Sequence, residues 1–224
     1  MKKINIRKNV DVLALRLLSK NPVSRVFGFD RGLPIDRYYI ERFLEENKNI
    51  IKGKVLEVAE SSYTEKFGGS NVEESLILHV AQENSKADII ANLETGEGII
   101  ENLVDCFIFT QTLPFIYNLK NAVTNSIRLL KYGGYLLLTV PGISQISRYD
   151  MERWGHYWSF TNLSLRKLFE EIVSEDNISI KTYGNVKSAT CFLFGLSCNE
   201  LSKKDLDYFD PDYQVIISAV IKKL

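Results

Sequence analysis

The chain has 224 residues, 45% hydrophobic and 25% charged, the composition of an ordinary globular protein long enough to bury roughly 70% of its unfolded surface without disulfide or metal staples. Lysine plus arginine equals aspartate plus glutamate at 28 each, so no global basic field draws in nucleic acid. Three cysteines, Cys106, Cys191 and Cys198, are odd in number and lack metal-ligand spacing, no apolar run reaches the roughly 18 residues of a membrane span, and no signal-peptide pattern is present; buried reduced thiols in a cytoplasmic protein are expected.

Residues 1–20 carry Lys2, Lys3, Arg7, Lys8, Arg16 and Lys20 against a single Asp11, with Val10, Leu13, Leu17 and Leu18 at helical spacing. A basic amphipathic start of this kind lies on an anionic membrane, docks on a partner or packs on its own domain. Gly28, Gly32 and Pro34 mark a linker or an ordered entry loop, so residues 1–30 read as an arm and linker and 31–224 as one domain. Asp36 is placed to cap a helix presenting Tyr39 or Ile40, Phe43, Leu44 and Ile51, ended by Gly53. Val55 to Ala59 is then a short apolar run holding one carboxylate, Glu57, and it passes straight into small polar residues. That is the pattern of a buried parallel strand delivering a loop to the ligand crevice of an open α/β sheet.

A long polar connection, 60–74, leads to predicted strands at 75–80 and 87–93, and, beyond Gly96 and Gly98, a strand at 104–110. Leu119, Ala122, Val123, Ile127 and Leu130 recur at helical intervals, with Gly133-Gly134 as the stop and 135–140 as the fifth strand. Thr161 is an N-cap for a helix through Leu165, Leu168, Phe169 and Ile172; a strand at 178–183, an apolar helix from Val186 to about Cys198 and a closing strand at 213–221 complete the chain. Strands alternating with helices predict a mostly parallel sheet, and the short last connection predicts an antiparallel return.

Several segments go beyond this pattern: Arg31-Gly32-Leu33-Pro34-Ile35-Asp36-Arg37-Tyr38-Tyr39, Thr110-Gln111-Thr112-Leu113, Leu129-Leu130-Lys131-Tyr132-Gly133-Gly134, Val140-Pro141-Gly142, and the run from Ile146 to Gly155. In these the chain resembles, over about residues 31–222, the class I S-adenosylmethionine-dependent methyltransferases. The likeness is closest to the methyltransferase-domain proteins associated with bacterial polysaccharide biosynthesis. The resemblance implies a Rossmann-like fold: a seven-stranded, mostly parallel sheet with an antiparallel last strand and helices on both faces. It implies S-adenosylmethionine as cofactor.

Carried over position by position, the resemblance makes Glu57 the acid that fixes the amino-acid end of the cofactor, with Ala59 and Ser61 where the family has glycines. The ribose-binding acid is replaced by Ala81, leaving Glu83 nearby as a substitute. Asn92 stands where an aspartate receives the adenine amino group, its amide carbonyl still an acceptor. Thr110 and Gln111 line the same crevice.

Both tryptophans, Trp154 and Trp158, fall in the loop after the fifth strand with Tyr149, Tyr157, Phe160 and His156. Tyr149, Trp154 and Trp158 form a substrate wall for a sugar ring, or else pack over the sheet edge. His156 or Asp150 would take the proton from an acceptor hydroxyl. His79 reads as a core histidine. Asp205, Asp207, Asp210 and Asp212 lack the glycine and final glutamate of a calcium loop, so no metal is expected; Ser202 caps a solvated turn there. Neither a phosphate loop nor the Gly-x-Gly-x-x-Gly dinucleotide fingerprint is present.

The expected activity is methyl transfer to a small acceptor, with a sugar hydroxyl as the acceptor class. The competing expectation is a protein that keeps the fold without the cofactor and acts as a binding or scaffolding partner of a glycosyltransferase, or contacts a membrane surface, through its basic arm.

Overall fold

The structure is a computed structural model that describes residues 19–224. The predicted amphipathic helix around Val10 to Leu18 lies outside the described residues. Seven strands form one sheet: β1 (Gly53–Val58), β2 (Val72–His79), β3 (Ile89–Ile90), β4 (Val104–Thr110), β5 (Leu130–Pro141), β6 (Ile178–Tyr183) and β7 (Ile216–Lys222). Their order is β3-β2-β1-β4-β5-β7-β6, with β1 to β5 mutually parallel and β7 antiparallel to both neighbours. Order reverses between β1 and β4. An open parallel sheet of this kind leaves its ligand crevice at the carboxyl ends of those strands.

Alternation along the strands sends neighbouring side chains to opposite faces. On one face Leu56, Phe107, Phe109, Leu136 and Leu138 pack with Ala122, Val123 and Ile127 of α2 (Leu119–Leu129) and with Leu165 and Phe169 of α4 (Asn162–Glu170). On the other, Val55, Cys106, Ile108 and Leu137 pack beneath Ile35, Tyr39, Ile40, Phe43 and Leu44 of α1 (Ile35–Glu46) and Phe192 of α5 (Val186–Phe194). Each fully buried Phe or Leu contributes about 1.5–3 kcal/mol of transfer free energy, so the two faces jointly specify the sheet's register. Two short helices complete the chain, α3 (Arg148–Arg153) after β5 and α6 (Lys203–Asp207) before β7.

Several boundaries differ from the sequence expectation for identifiable reasons. Asp36 does not cap α1; Pro34 precedes the helix and Asp36 is buried in its first turn. The helix ends at Asn47, so Ile51 and Gly53 belong to the approach to β1. The strand β3 is cut to two residues because the Asn92 side chain accepts from the N–H groups of Glu94 and Thr95 and turns the chain. Gly133 and Gly134 do not stop α2; they lie inside β5, where a Cβ on Gly134 would stand 2.9 Å from the Lys131 carbonyl and 3.0 Å from that of Asp105. Gly195, at φ +77°, ends α5 three residues before Cys198. All three cysteines are unpaired, but only Cys106 is buried.

Of the two readings of the segment ahead of α1, the ordered entry loop holds: the Val23 N–H donates to the Phe194 carbonyl, and the Gln145 side chain donates to the Arg25 carbonyl. No helix among the described residues is long and apolar enough to cross a membrane.

Candidate functional site

A cavity of about 720 Å³ opens at the carboxyl ends of β3, β2, β1, β4 and β5, roofed by α3 and closed on one side by α1 and the segment ahead of it. Its volume falls within the roughly 300–1,000 Å³ typical of small-molecule sites. Five acidic side chains line it, Asp36, Glu57, Glu60, Glu94 and Asp150, against two arginines, Arg37 and Arg153. Among the described residues four non-glycines adopt positive φ, and three of them, Phe27 (φ 60°), Ala59 (φ 69°) and Gln111 (φ 50°), line this cavity. Strained backbone concentrated at one crevice is characteristic of a ligand site.

The turn after β1 is built around Glu57. Its carboxylate is buried and accepts from the Tyr63 N–H at 3.2 Å, the Thr64 N–H at 2.7 Å and the Thr64 hydroxyl at 2.8 Å. Burial raises its pKa, opposed by those hydrogen bonds. Glu57 therefore shapes the loop, and its oxygens are already engaged. Ala59 occupies the left-handed conformation that a glycine would take; its N–H donates to the Leu78 carbonyl and its own carbonyl accepts from the Asn84 side chain at 2.8 Å. That asparagine ties the loops after β1 and β2 together.

Ser61 and Glu83 do not line the cavity. The Ser61 hydroxyl donates to Glu65, and Glu83 is exposed on the outer side of the β2 loop. The residue at the end of β2 that faces the crevice is His79, which sequence reading placed in the core; its Nδ1 sits 2.8 Å from the Ala81 carbonyl. Asn92 lines the cavity, but its amide oxygen accepts from the N–H groups of Glu94 and Thr95, and the neighbouring Glu94, also on the wall, accepts from the Asn118 N–H at 3.0 Å. Thr110 and Gln111 line the crevice as expected from the end of β4, and Gln111 is fixed by its side chain on the Thr139 hydroxyl at 3.2 Å.

The loop after β5 brings Asp150, Trp154 and His156 to the cavity but not Tyr149 or Trp158. Tyr149 is exposed beneath the Arg153 guanidinium, 3.5 Å from the ring centroid. Trp158 donates its indole N–H to the carbonyls of Ile116 and Tyr117, so it fastens the β4 loop to the β5 loop. Ser147, Asp150 and His156 lie together but not as a nucleophilic triad. The Ser147 Oγ caps α3 by accepting from the Asp150 N–H and donates its proton to the Asp150 carboxylate, while the Ser147 backbone N–H points at His156 Nδ1 at 3.3 Å. An N–H can only donate, so Nδ1 is an acceptor and the neutral ring carries its proton on Nε2. Burial lowers the His156 pKa, only partly countered by Asp150.

Sequence reasoning missed the side of the cavity formed by α1. Arg37 is half-buried, 3.1 Å from the Tyr63 hydroxyl, with the Phe29 and Tyr63 rings at 5.8 and 6.0 Å from its guanidinium carbon. Burial works against its charge, and Tyr63, Asp36 and Glu60 more than offset that. Asp36 beside it accepts one hydrogen bond, from the Arg37 N–H at 2.7 Å, and burial raises its pKa. The signal was present as Asp36-Arg37, but only the packing of α1 against the β1 turn gives it a site. Among the described residues no group of three or more His, Cys, Asp or Glu is placed to hold a metal ion.

The architecture has many solved counterparts. A SAM-dependent methyltransferase from Archaeoglobus fulgidus superimposes with a TM-score of 0.53 at 11% identity, over 84% of this chain and 94% of that one. The chain has the class I methyltransferase fold. The plantazolicin methyltransferase BamL, solved with SAH, gives 0.54 at 11% identity over 84% of this chain and 86% of its own. The cyclase SpnF gives 0.53 at 14% identity over 97% and 93%. Proteins named for methyl transfer and for cyclisation thus share this scaffold, and identities this low establish the fold alone. No protein-family profile and no curated protein sequence matches the chain.

Proposed function

We propose that the protein transfers a methyl group from S-adenosylmethionine to a small acceptor, and that the acceptor group is a sugar hydroxyl in polysaccharide biosynthesis. The observation that carries the first part is the charge of the crevice. Five acidic side chains against two arginines favour a cationic ligand, and they lie at the strand ends where this fold places ligands. When bound, S-adenosylmethionine supplies an electrophilic methyl on a positively charged sulfur. The residues present fit such a group: the volume is adequate, the turn after β1 takes a glycine-like conformation at Ala59, and Glu94 and Gln111 offer polar groups on the wall.

On the acceptor side, His156 presents Nε2–H as a donor, which leaves Asp150 to receive the proton of an acceptor hydroxyl. Trp154 and Phe115 supply flat faces on the cavity wall. The sugar assignment leans on these faces and on the resemblance of 31–39 and 146–155 to polysaccharide-associated methyltransferases.

A second reading, a cofactor-free scaffold that binds a glycosyltransferase through residues 1–30, is favoured by Ala81 at the ribose position and by the committed oxygens of Glu57 and Asn92. Calorimetric titration with S-adenosylmethionine and S-adenosylhomocysteine separates the two. A ligand at about 100 times its Kd stabilises the fold by about 2.7 kcal/mol, visible as a raised Tm. Neither heat nor a Tm shift at millimolar ligand would overturn the enzyme reading.

A further inference from the structure

Arg37 and Asp36 are successive residues of α1 that both face the cavity, and neither role is explained by the fold. Arg37 makes no ion pair with a carboxylate among the described residues; its one side-chain hydrogen bond is to the Tyr63 hydroxyl, and two aromatic rings hold it in place. A half-buried guanidinium held in this way is pre-organised to receive a planar carboxylate through two parallel N–H donors. Asp36 is 9% exposed, with a single hydrogen bond, to the Arg37 backbone. A simple anion such as phosphate would gain Arg37 and meet Asp36 as a like charge. A group carrying both charges on one carbon satisfies both residues.

We propose that Arg37 and Asp36 form a subsite for a zwitterionic α-amino-acid group, Arg37 taking the carboxylate and Asp36 the ammonium, and that this group is the methionine end of the cofactor. The proposal rests on the cofactor reading above. It also supplies what the β1 turn lacks: with Glu57 spent on Tyr63 and Thr64, recognition of that end passes from the turn to α1. The Tyr63 that donates its backbone N–H to Glu57 also holds Arg37 through its hydroxyl, so turn and subsite share one residue.

The test compares two ligands by calorimetry on the full chain: S-adenosylhomocysteine, and 5′-methylthioadenosine, which keeps the nucleoside and thioether but lacks the amino-acid group. The unaltered protein is expected to favour S-adenosylhomocysteine, and Arg37→Met to lower that affinity roughly 10- to 100-fold, the scale of one charge-assisted contact, while leaving methylthioadenosine unchanged. Tyr63→Phe, which keeps the ring and removes only the hydroxyl, should shift the ratio in the same direction by a smaller factor, and serves if Arg37→Met does not fold. Equal loss for both ligands, or an unchanged ratio in both variants, would overturn the subsite. Binding of neither ligand by the unaltered protein would overturn the cofactor reading itself.

Discussion

The Trp154 indole stands edge-on against the His79 imidazole, ring centroids 5.9 Å apart at 79°, which carries the loop after β5 across the crevice to the end of β2. The contact roofs the cavity at the end of β2. A ligand lying across the strand ends must pass beneath it or displace it. In a Trp158→Phe background Trp154 is the single remaining tryptophan, and its emission is expected to change on titration with S-adenosylhomocysteine. Trp154→Ala should weaken that ligand about 2- to 10-fold, the worth of one aromatic contact. Unchanged emission together with unchanged affinity would show that the ligand does not reach this loop.

Ala59 stores strain in the turn after β1. Its φ of 69° is a glycine conformation, costing an L-residue roughly 1–2 kcal/mol. Ala59→Gly relieves that cost and returns part of it as unfolded-state entropy, for a net gain of about 0.5–1 kcal/mol. In a chain of this size the gain corresponds to a Tm rise of about 1–4 °C, measurable by thermal unfolding. A fall in Tm would mean that the turn is held by the Ala59 methyl group instead of being strained by it.

Glu57→Ala tests whether the acid at the end of β1 builds the loop or only meets ligand. The substitution orphans the N–H groups of Tyr63 and Thr64 and the Thr64 hydroxyl, so the fold should lose about 1–3 kcal/mol with no ligand present. A Tm unchanged without ligand, with ligand affinity lost, would return Glu57 to direct contact with the cofactor.

The sheet was legible where hydrophobic pattern alone dictates structure. Val104–Thr110 and Ile178–Tyr183 match the predicted strands residue for residue, and Thr161 caps α4 as expected. Gly133-Gly134 misled because a pair that can end a helix here serves β5, Gly133 with a φ of +81° and Gly134 at a close approach to the Asp105 carbonyl of β4, and local sequence does not distinguish the two. Of the residues expected at the site, Glu57, Ala59, Asn92, Thr110, Gln111, Asp150, Trp154 and His156 do line the cavity, all at strand ends or on the loops that follow them. His79 looked like core because it follows Leu76, Ile77 and Leu78, yet it ends its strand and so faces the crevice. Arg37 comes to the cavity wall through contacts to Phe29 and Tyr63 that no periodicity encodes, with Asp36 beside it.

Asp36 carries the pH dependence. Burial pushes its carboxyl above the usual aspartate range, and Arg37 with its backbone N–H only partly reverses this. The folded state then binds the proton more tightly than the unfolded chain. The resulting stability is fully present below the unfolded pKa of about 3.9 and is lost as pH rises through the folded value. Asp36→Asn keeps the acceptor for the Arg37 N–H and does not titrate. Its Tm advantage over the unaltered protein should therefore be smallest near about pH 4 and grow as pH rises through the folded value. The same variant should bind S-adenosylhomocysteine more weakly, because the carboxylate that costs stability is the one assigned to the ligand's ammonium; stability and binding would move in opposite directions. A Tm difference that does not vary with pH would show that Asp36 ionises as readily in the fold as outside it, and the residue would then be an ordinary first-turn carboxylate.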